Sequence, residues 1–241
     1  MHPAATDQPA IVLHARAYRE TSLLVNLFTR DHGRVAVVAR GRRNAKRGHG
    51  LQPFYEGTVS WRGRGSLMTL TRYDVVQGRW LTGNDVASAY YVAELVMRLT
   101  REWEPHGRLY GGVQWVLRRI GEAPDGAAVA SGLRQFEKLL LEELGYGYEF
   151  TRDAASGASI DATAFYRLEP ETGFVRSAAA EGYPGRTLID IARADYADAE
   201  TRTNARRLFR EAIAAHLGPA PLLSRRLLRP ASSAGRHGAE K

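Results

Sequence analysis

At 241 residues, with 44% hydrophobic and 25% charged residues, the chain has the composition of a globular protein able to bury one large core or a few small ones. It contains no Cys, which excludes disulfides, thiolate zinc sites and thiol nucleophiles, and its 7 His are too scattered to suggest a cluster. The net charge of +8 is a local feature: up to Trp80 there are 13 Lys and Arg against 5 Asp and Glu, and the rest of the chain carries 21 of each.

No apolar run approaches the ~20 residues that cross a bilayer, and Met1 to Asp7 lacks a cationic start followed by an apolar stretch, so a cytoplasmic protein without a membrane partner is expected. From Ile11 to about Val76 the pattern is strand-rich. Strands are predicted at Ile11 to Arg16, Ser22 to Thr29, Arg34 to Ala39, Thr58 to Arg62 and Leu67 to Tyr73, divided by turns such as Asp31-His32-Gly33 and Arg62-Gly63-Arg64-Gly65. Five short strands in so few residues suggest a small closed barrel. Val59 and Trp61 alternate with Thr58, Ser60 and Arg62, which points the Trp inward and the Arg outward.

Between the third and fourth strands lies the densest cationic segment, Arg40 to Gly50, with Arg40, Arg42, Arg43, Lys46 and Arg47 and three Gly. Clustered cations displace the counterions of a polyanion, and Arg adds forked donors that fit phosphate oxygens. Five phosphate contacts on one strand would make affinity fall roughly 100-fold between about 50 and 200 mM salt. The alternative is a solvated, solubilising loop, but the charge of the whole domain favours nucleic acid. Arg16 and Arg34 are the supporting phosphate ligands. Among the interleaved aromatics, Trp61 and Phe28 read as core, and Tyr55 beside Phe54 is the better candidate for base stacking.

The pattern turns helical after Trp80. Asn84 or Asp85 can cap a first helix carrying Val86, Ala89, Tyr90, Ala93, Met97 and Thr100 at helical spacing. A second starts near Pro105, presents Leu109, Val113, Leu117 and Ile120, and stops at Gly121. A third runs from about Gly126 to Leu144, burying Leu133, Phe136, Leu140 and Leu144, and ends at Gly145. Its charges oppose the helix dipole, with Arg134 and Lys138 before Glu142 and Glu143. Arg134 and Lys138 share a face beside Leu133 and Phe136, an arrangement that is either a solvated surface or a grip for an acidic peptide.

Further on, Thr163 to Leu168 and Phe174 to Arg176 read as a hairpin, and helices are expected at Thr187 to Ala194 and Thr201 to Leu217. The domains expected are 1–80, 81–146 and 147–229, with 230–241 a disordered tail. Arg206, Arg207, Arg210, Arg225, Arg226 and Arg229 form a second basic zone, which either extends a nucleic-acid track or neutralises the acidic middle of the chain. Asp190, Asp195, Asp198 and Glu200 are the only dense acidic group, and their spacing suits a solvated helix end better than a magnesium site or a metal-dependent nuclease. No phosphate loop, Gly-x-Ser-x-Gly elbow or His-Glu-x-x-His helix is present.

Taken in order, Thr21-Ser22-Leu23-Leu24, Leu27-Phe28-Thr29, Gly33-Arg34-Val35, Ala39-Arg40-Gly41, Leu51-Gln52-Pro53-Phe54, Tyr91-Val92-Ala93-Glu94-Leu95, Leu133-Arg134-Gln135-Phe136-Glu137, Leu144-Gly145-Tyr146-Gly147 and Gly173-Phe174 resemble the RecO family of bacterial recombination mediators. The resemblance implies an α+β protein with an N-terminal OB-fold barrel, a helical domain and a small mixed C-terminal lobe. It implies binding of single- and double-stranded DNA without a covalent step, strand annealing, and a cytoplasmic, nucleoid-associated site. The implied partners are RecR, the acidic C-terminal tail of single-stranded DNA-binding protein and, indirectly, the RecA recombinase. Arg134, with Lys138, Leu133 and Phe136, becomes the expected site for that tail. Some members carry a four-cysteine zinc site where this chain has Thr151 to Ile160 without Cys, so no metal or other cofactor is expected. A ribosome-associated RNA-binding barrel is the rival reading.

Overall fold

Alternating side chains on five strands curl the first part of the chain into a barrel: β1 (Ala5–Tyr18), β2 (Ser22–Thr29), β3 (Gly33–Ala39), β4 (Glu56–Arg62) and β5 (Leu67–Gln77). The computed structural model describes residues 3–42, 51–79, 81–178 and 181–227. The strands close in the order β1-β2-β3-β5-β4, with β1 antiparallel to both β2 and β4 and β3 parallel to β5, the topology of an OB-fold. The first strand is longer than its periodicity suggested. A bulge between Val12 and His14 bends it so that Ala5 to Ile11 serves β4 while Ala10 to Tyr18 serves β2. Val12, Val25, Leu27, Val35, Val37, Val59, Trp61 and Met68 fill the interior, and Trp61 points inward as expected.

Three helices follow: α1 (Gly83–Leu99), α2 (Gly107–Glu122) and α3 (Gly126–Glu143). Thr82, not Asn84 or Asp85, occupies the cap of α1, and the Asp125 side chain accepts the Ala128 N–H to cap α3. Gly145 ends the third helix at φ +80°, in the left-handed region where glycine has no steric penalty. The last part contains the hairpin β6 (Phe165–Glu169) and β7 (Gly173–Ser177), a short third strand β8 (Tyr183–Pro184) on the other side of β6, then α4 (Gly185–Ala192), α5 (Ala199–Leu217) and a single 3-10 turn at Ser224–Arg226. The helices and this small sheet share one core, from Leu95, Val113 and Phe136 to Phe174, Ile191 and Phe209, and it reaches the barrel through Ile11, Leu13, Phe28 and Phe54. No helix among the described residues is long and apolar enough to cross a membrane.

Candidate nucleic-acid interface

Residues opposite one another on paired strands share a face of the sheet, so the register maps the outside of the barrel in rows. Ile11, Phe28 and Arg34 form one outward row, His14, Asn26, Ala36 and Leu67 the next, and Arg16, Leu24, Val38 and Thr69 a third. The first row is covered: Ile11 and Phe28 belong to the helical core, and Phe28 lies 5.9 Å, ring to ring, from Tyr110. The other two rows stay open. Beyond them the β1–β2 hairpin tip, Tyr18 to Ser22, faces Arg40 across an open cleft of roughly 790 Å³ also lined by Val38, Leu67, Met68 and Thr69. The Arg19 guanidinium stands 5.3 Å from the centroid of the Tyr18 ring.

The cations here are available. Arg16 and Arg40 are exposed, and neither has a carboxylate partner among the described residues. Arg42 is half-buried and likewise unpaired among them, whereas Arg43, Lys46 and Arg47 lie outside the described residues. Residue choice by charge density overlooked Arg62 and Arg64, exposed in the β4–β5 turn that leads into the cleft at Leu67. Their signal was present in the sequence as cations flanking Gly63. Tyr18, one of the aromatics interleaved with the basic charge in the sequence, lines this surface, although Tyr55 was the ring preferred for stacking. Tyr55, the expected stacking ring, is half-buried and lies against Gly78, where an added Cβ would come within 2.8 Å of it.

Arg34 departs from the expected role. Its Nε donates to Thr100 Oγ1 at 3.0 Å and its Nη2 to the Thr100 carbonyl at 2.8 Å, while its own carbonyl accepts the Trp103 N–H at 3.0 Å. Desolvation by burial holds its pKa below the usual arginine value. The side chain fastens the barrel to the end of α1, and its donors are spent on that joint. A second polar joint sits at the other end of the helix contact, where Glu56 accepts from Arg79 and, at 2.7 Å, from Gln114 of α2.

The expected acidic-peptide face is also built differently. Arg134 is only 7% exposed and Phe136 1%, so the Arg sits in the core rather than on an open surface. Its Nε and Nη2 each donate to the Glu137 carboxylate at 2.5 Å, and Tyr91 donates to the same carboxylate at 2.6 Å. Burial acts to lower the Arg134 pKa, but Glu137 outweighs it and the net direction is upward. Leu133 is half-buried, as is Lys138, which lies 3.9 Å from Glu142 and 5.5 Å from the Phe150 ring centroid. Arg108 of α2 meets Glu143 at 2.9 Å. These pairs offset the unfavourable order of charges along α3, which costs a few tenths of a kcal/mol per misplaced group.

Two other sequence candidates resolve into local architecture. Asp190 accepts Thr201 Oγ1 at 3.1 Å and pairs with Arg186 at 3.0 Å, Asp198 caps α5 by accepting the Thr201 N–H at 2.7 Å, and Asp195 accepts the Ala197 N–H at 3.0 Å. Among the described residues no group of His, Asp and Glu converges in a way that could hold a metal ion. Within Thr151 to Ile160, the buried Asp153 carboxylate organises the loop by accepting the N–H groups of Ala155, Ser156 and Arg176, each at 2.9 Å.

Comparison with known proteins agrees with this architecture. The family model described as recombination protein O N terminal matches residues 1–79, and the one described as recombination protein O C terminal matches residues 81–226. The DNA repair protein RecO of Halorhodospira halophila is 41% identical over 232 residues, covering 93% of this chain and 97% of that protein. That of Alkalilimnicola ehrlichii is 42% identical over 230 residues, with 92% and 90% covered, and that of Yersinia enterocolitica 39% over 228 residues, with 92% and 93% covered.

Proposed function

Because the chain belongs to the recombination protein O family, whose matched relatives are DNA repair proteins, we propose that it binds single- and double-stranded DNA on the open outer rows of its barrel and anneals complementary strands without making or breaking covalent bonds. The observation that carries this is the pairing of uncompensated Arg16 and Arg40 with an open cleft beside Tyr18, on the strand β2–β3 face that OB-folds use for oligonucleotides. Arg42 extends the same cationic edge and Arg62 and Arg64 flank it, while Arg43, Lys46 and Arg47, outside the described residues, follow Arg42 in the sequence as further candidate phosphate ligands. Phosphate contacts there release counterions, and a shared cationic surface lowers the repulsion between two strands so that pairing can nucleate. Tyr18 offers a ring on which an unstacked base can lie.

We infer that the acidic tail of single-stranded DNA-binding protein docks at the edge of α3, where Leu133 and Lys138 are half-buried beside the core residues Arg134 and Phe136. Lys138 is the cation a tail carboxylate would meet there, because Arg134 is held in the core by Glu137. With RecR as a further partner, the chain would promote loading of RecA on single strands. The deciding experiment reverses Arg16 and Arg40 to Glu and measures single-strand affinity and annealing rate. At low salt, affinity should fall at least about tenfold and the slope of log affinity against log salt should lessen by about 1.4, two contacts at about 0.7 each. Unchanged affinity with an unchanged slope overturns the assignment of this face.

A further inference from the structure

The second basic zone has a clear electrostatic position once its partners are traced. On α5, Arg206 and Arg210 are one turn apart, about 6 Å along the axis, and both are exposed with no ion pair among the described residues. Arg207 projects beside them, donating to the Gly182 carbonyl with its guanidinium 4.4 Å from the centroid of the Tyr183 ring. Arg202, one turn earlier, donates to the carbonyls of Tyr196 and Ala197 at 2.9 and 2.5 Å. Arg202 and Arg207 are therefore oriented by carbonyls and a ring, with no carboxylate at ion-pair distance among the described residues.

Several carboxylates of the middle of the chain are engaged by other groups. Glu137 is taken by Arg134 and Tyr91, Glu142 and Glu143 by Lys138 and Arg108, Glu94 by Ser224 and Leu223, and Asp190 by Arg186 and Thr201. On α5 itself, Glu211 accepts from Tyr183, and Glu200 lies at the opposite, N-terminal end of the helix. Among the described residues no carboxylate forms an ion pair with Arg206, Arg207 or Arg210, so direct pairing with the acidic section does not account for them. The buried side of the same helix, Ala205, Leu208, Phe209, Ala212 and Ile213, anchors it in the core, so the ridge stands on a rigid support.

We propose that the Arg206, Arg207 and Arg210 ridge of α5 is a second phosphate-binding surface, separate from the barrel, which holds a second segment of nucleic acid while the barrel holds the first. It rests on the reading of the chain as a DNA-binding protein. The ligand class is the sugar-phosphate backbone, since guanidinium groups on a helix surface without a recess contact phosphates and read no bases. Two separated surfaces on one molecule raise the effective concentration of one strand near another.

The test compares two full-length double variants, Arg206→Glu with Arg210→Glu on α5 and Arg16→Glu with Arg40→Glu on the barrel, each checked for an unchanged melting curve. Arg207 is kept because it ties Gly182 and Tyr183 together. A thymidine homopolymer is tethered to a surface, protein is bound, and capture of a second, labelled thymidine homopolymer is measured. The α5 variant should bind the tethered strand nearly as the wild type does and lose most capture of the second, with a neutral Arg206→Gln, Arg210→Gln variant falling between. Full capture by the α5 variant overturns the second surface. If the barrel variant still binds the tethered strand and the α5 variant does not, the barrel reading fails and the α5 surface stands as the principal site.

Discussion

Replacing Gly33 by Ala tests the joint that holds the barrel against the helices. Gly33 sits at φ +64°, and a Cβ built there would fall 1.9 Å from the Glu104 carbonyl oxygen and 2.5 Å from its carbon. Two costs follow. An L-residue in the left-handed region loses roughly 1–2 kcal/mol, and the overlap forces the segment after α1 away by about 1 Å, since backbone atoms in a packed contact cannot interpenetrate. That movement breaks the hydrogen bond from Trp103 N–H to the Arg34 carbonyl and stretches the Arg34 contacts to Thr100. A neutral bond contributes about 1 kcal/mol and one to a charged group about 1.5–3, so the whole loss should be about 3.5–6 kcal/mol. Gly41 supplies the control: its φ is +68° and nothing among the described residues lies within 4 Å of its would-be Cβ, so Gly41→Ala incurs the backbone cost alone. Urea unfolding of both variants, read at constant slope, should separate them by about 2.5–4 kcal/mol. Equal losses would refute the account, because they would mean that the contact with Glu104 does not bear on stability.

Three further outcomes follow from the polar contacts. Arg134→Met alone strands the Glu137 carboxylate in the core and should cost about 3–5 kcal/mol, whereas Arg134→Met with Glu137→Met should cost less than the sum of the two single changes; strict additivity in a double-mutant cycle would remove the buried pair from the argument. The N–H of Ser156, against the opposing effect of burial and with help from Arg176 and Ala155, holds the Asp153 carboxyl below the usual range. A depressed folded-state value means that its contribution is complete above the unfolded value of about 3.9 and is lost as pH falls through the folded one. The melting-temperature gap between wild type and Asp153→Asn should therefore narrow on acidification below about pH 4, and a gap independent of pH would contradict this. Arg98 donates to the carbonyls of Leu217, Ala220 and Pro221 at 2.6, 2.7 and 3.1 Å, strapping the segment after α5 onto α1. Arg98→Ala should speed tryptic cleavage at Arg225 and Arg226 while the rest of the chain resists; an unchanged cleavage rate would show that the strap holds without it.

Local periodicity made much of this fold legible. The strand Ser22–Thr29 was read with the limits it has, the third helix to within a residue, and the glycine that ends it by its need for positive φ. Such features depend on neighbours two to four positions away, and the sequence displays those directly. β8 was invisible because two residues, Tyr183 and Pro184, carry no pattern and are defined only by pairing with β6. The double use of β1 was equally hidden, since the bulge before His14 is an adjustment to two partners at once.

The candidate site divides along the same line. Its location followed from charge density alone, because excess Lys and Arg over the first eighty residues is a property of composition. Which cations are free was settled by tertiary structure. Arg16 and Arg34 look alike in sequence, yet one stands on an open row of the barrel and the other is spent on Thr100, 66 positions away. Arg134 is quenched by a carboxylate a single turn along its own helix, while Arg206 and Arg210, close to acidic residues in the chain, meet none in the described fold. Charge is encoded residue by residue, but its availability depends on which partner the folded backbone brings within hydrogen-bond reach, and burial decides whether that partner can be exchanged for a ligand.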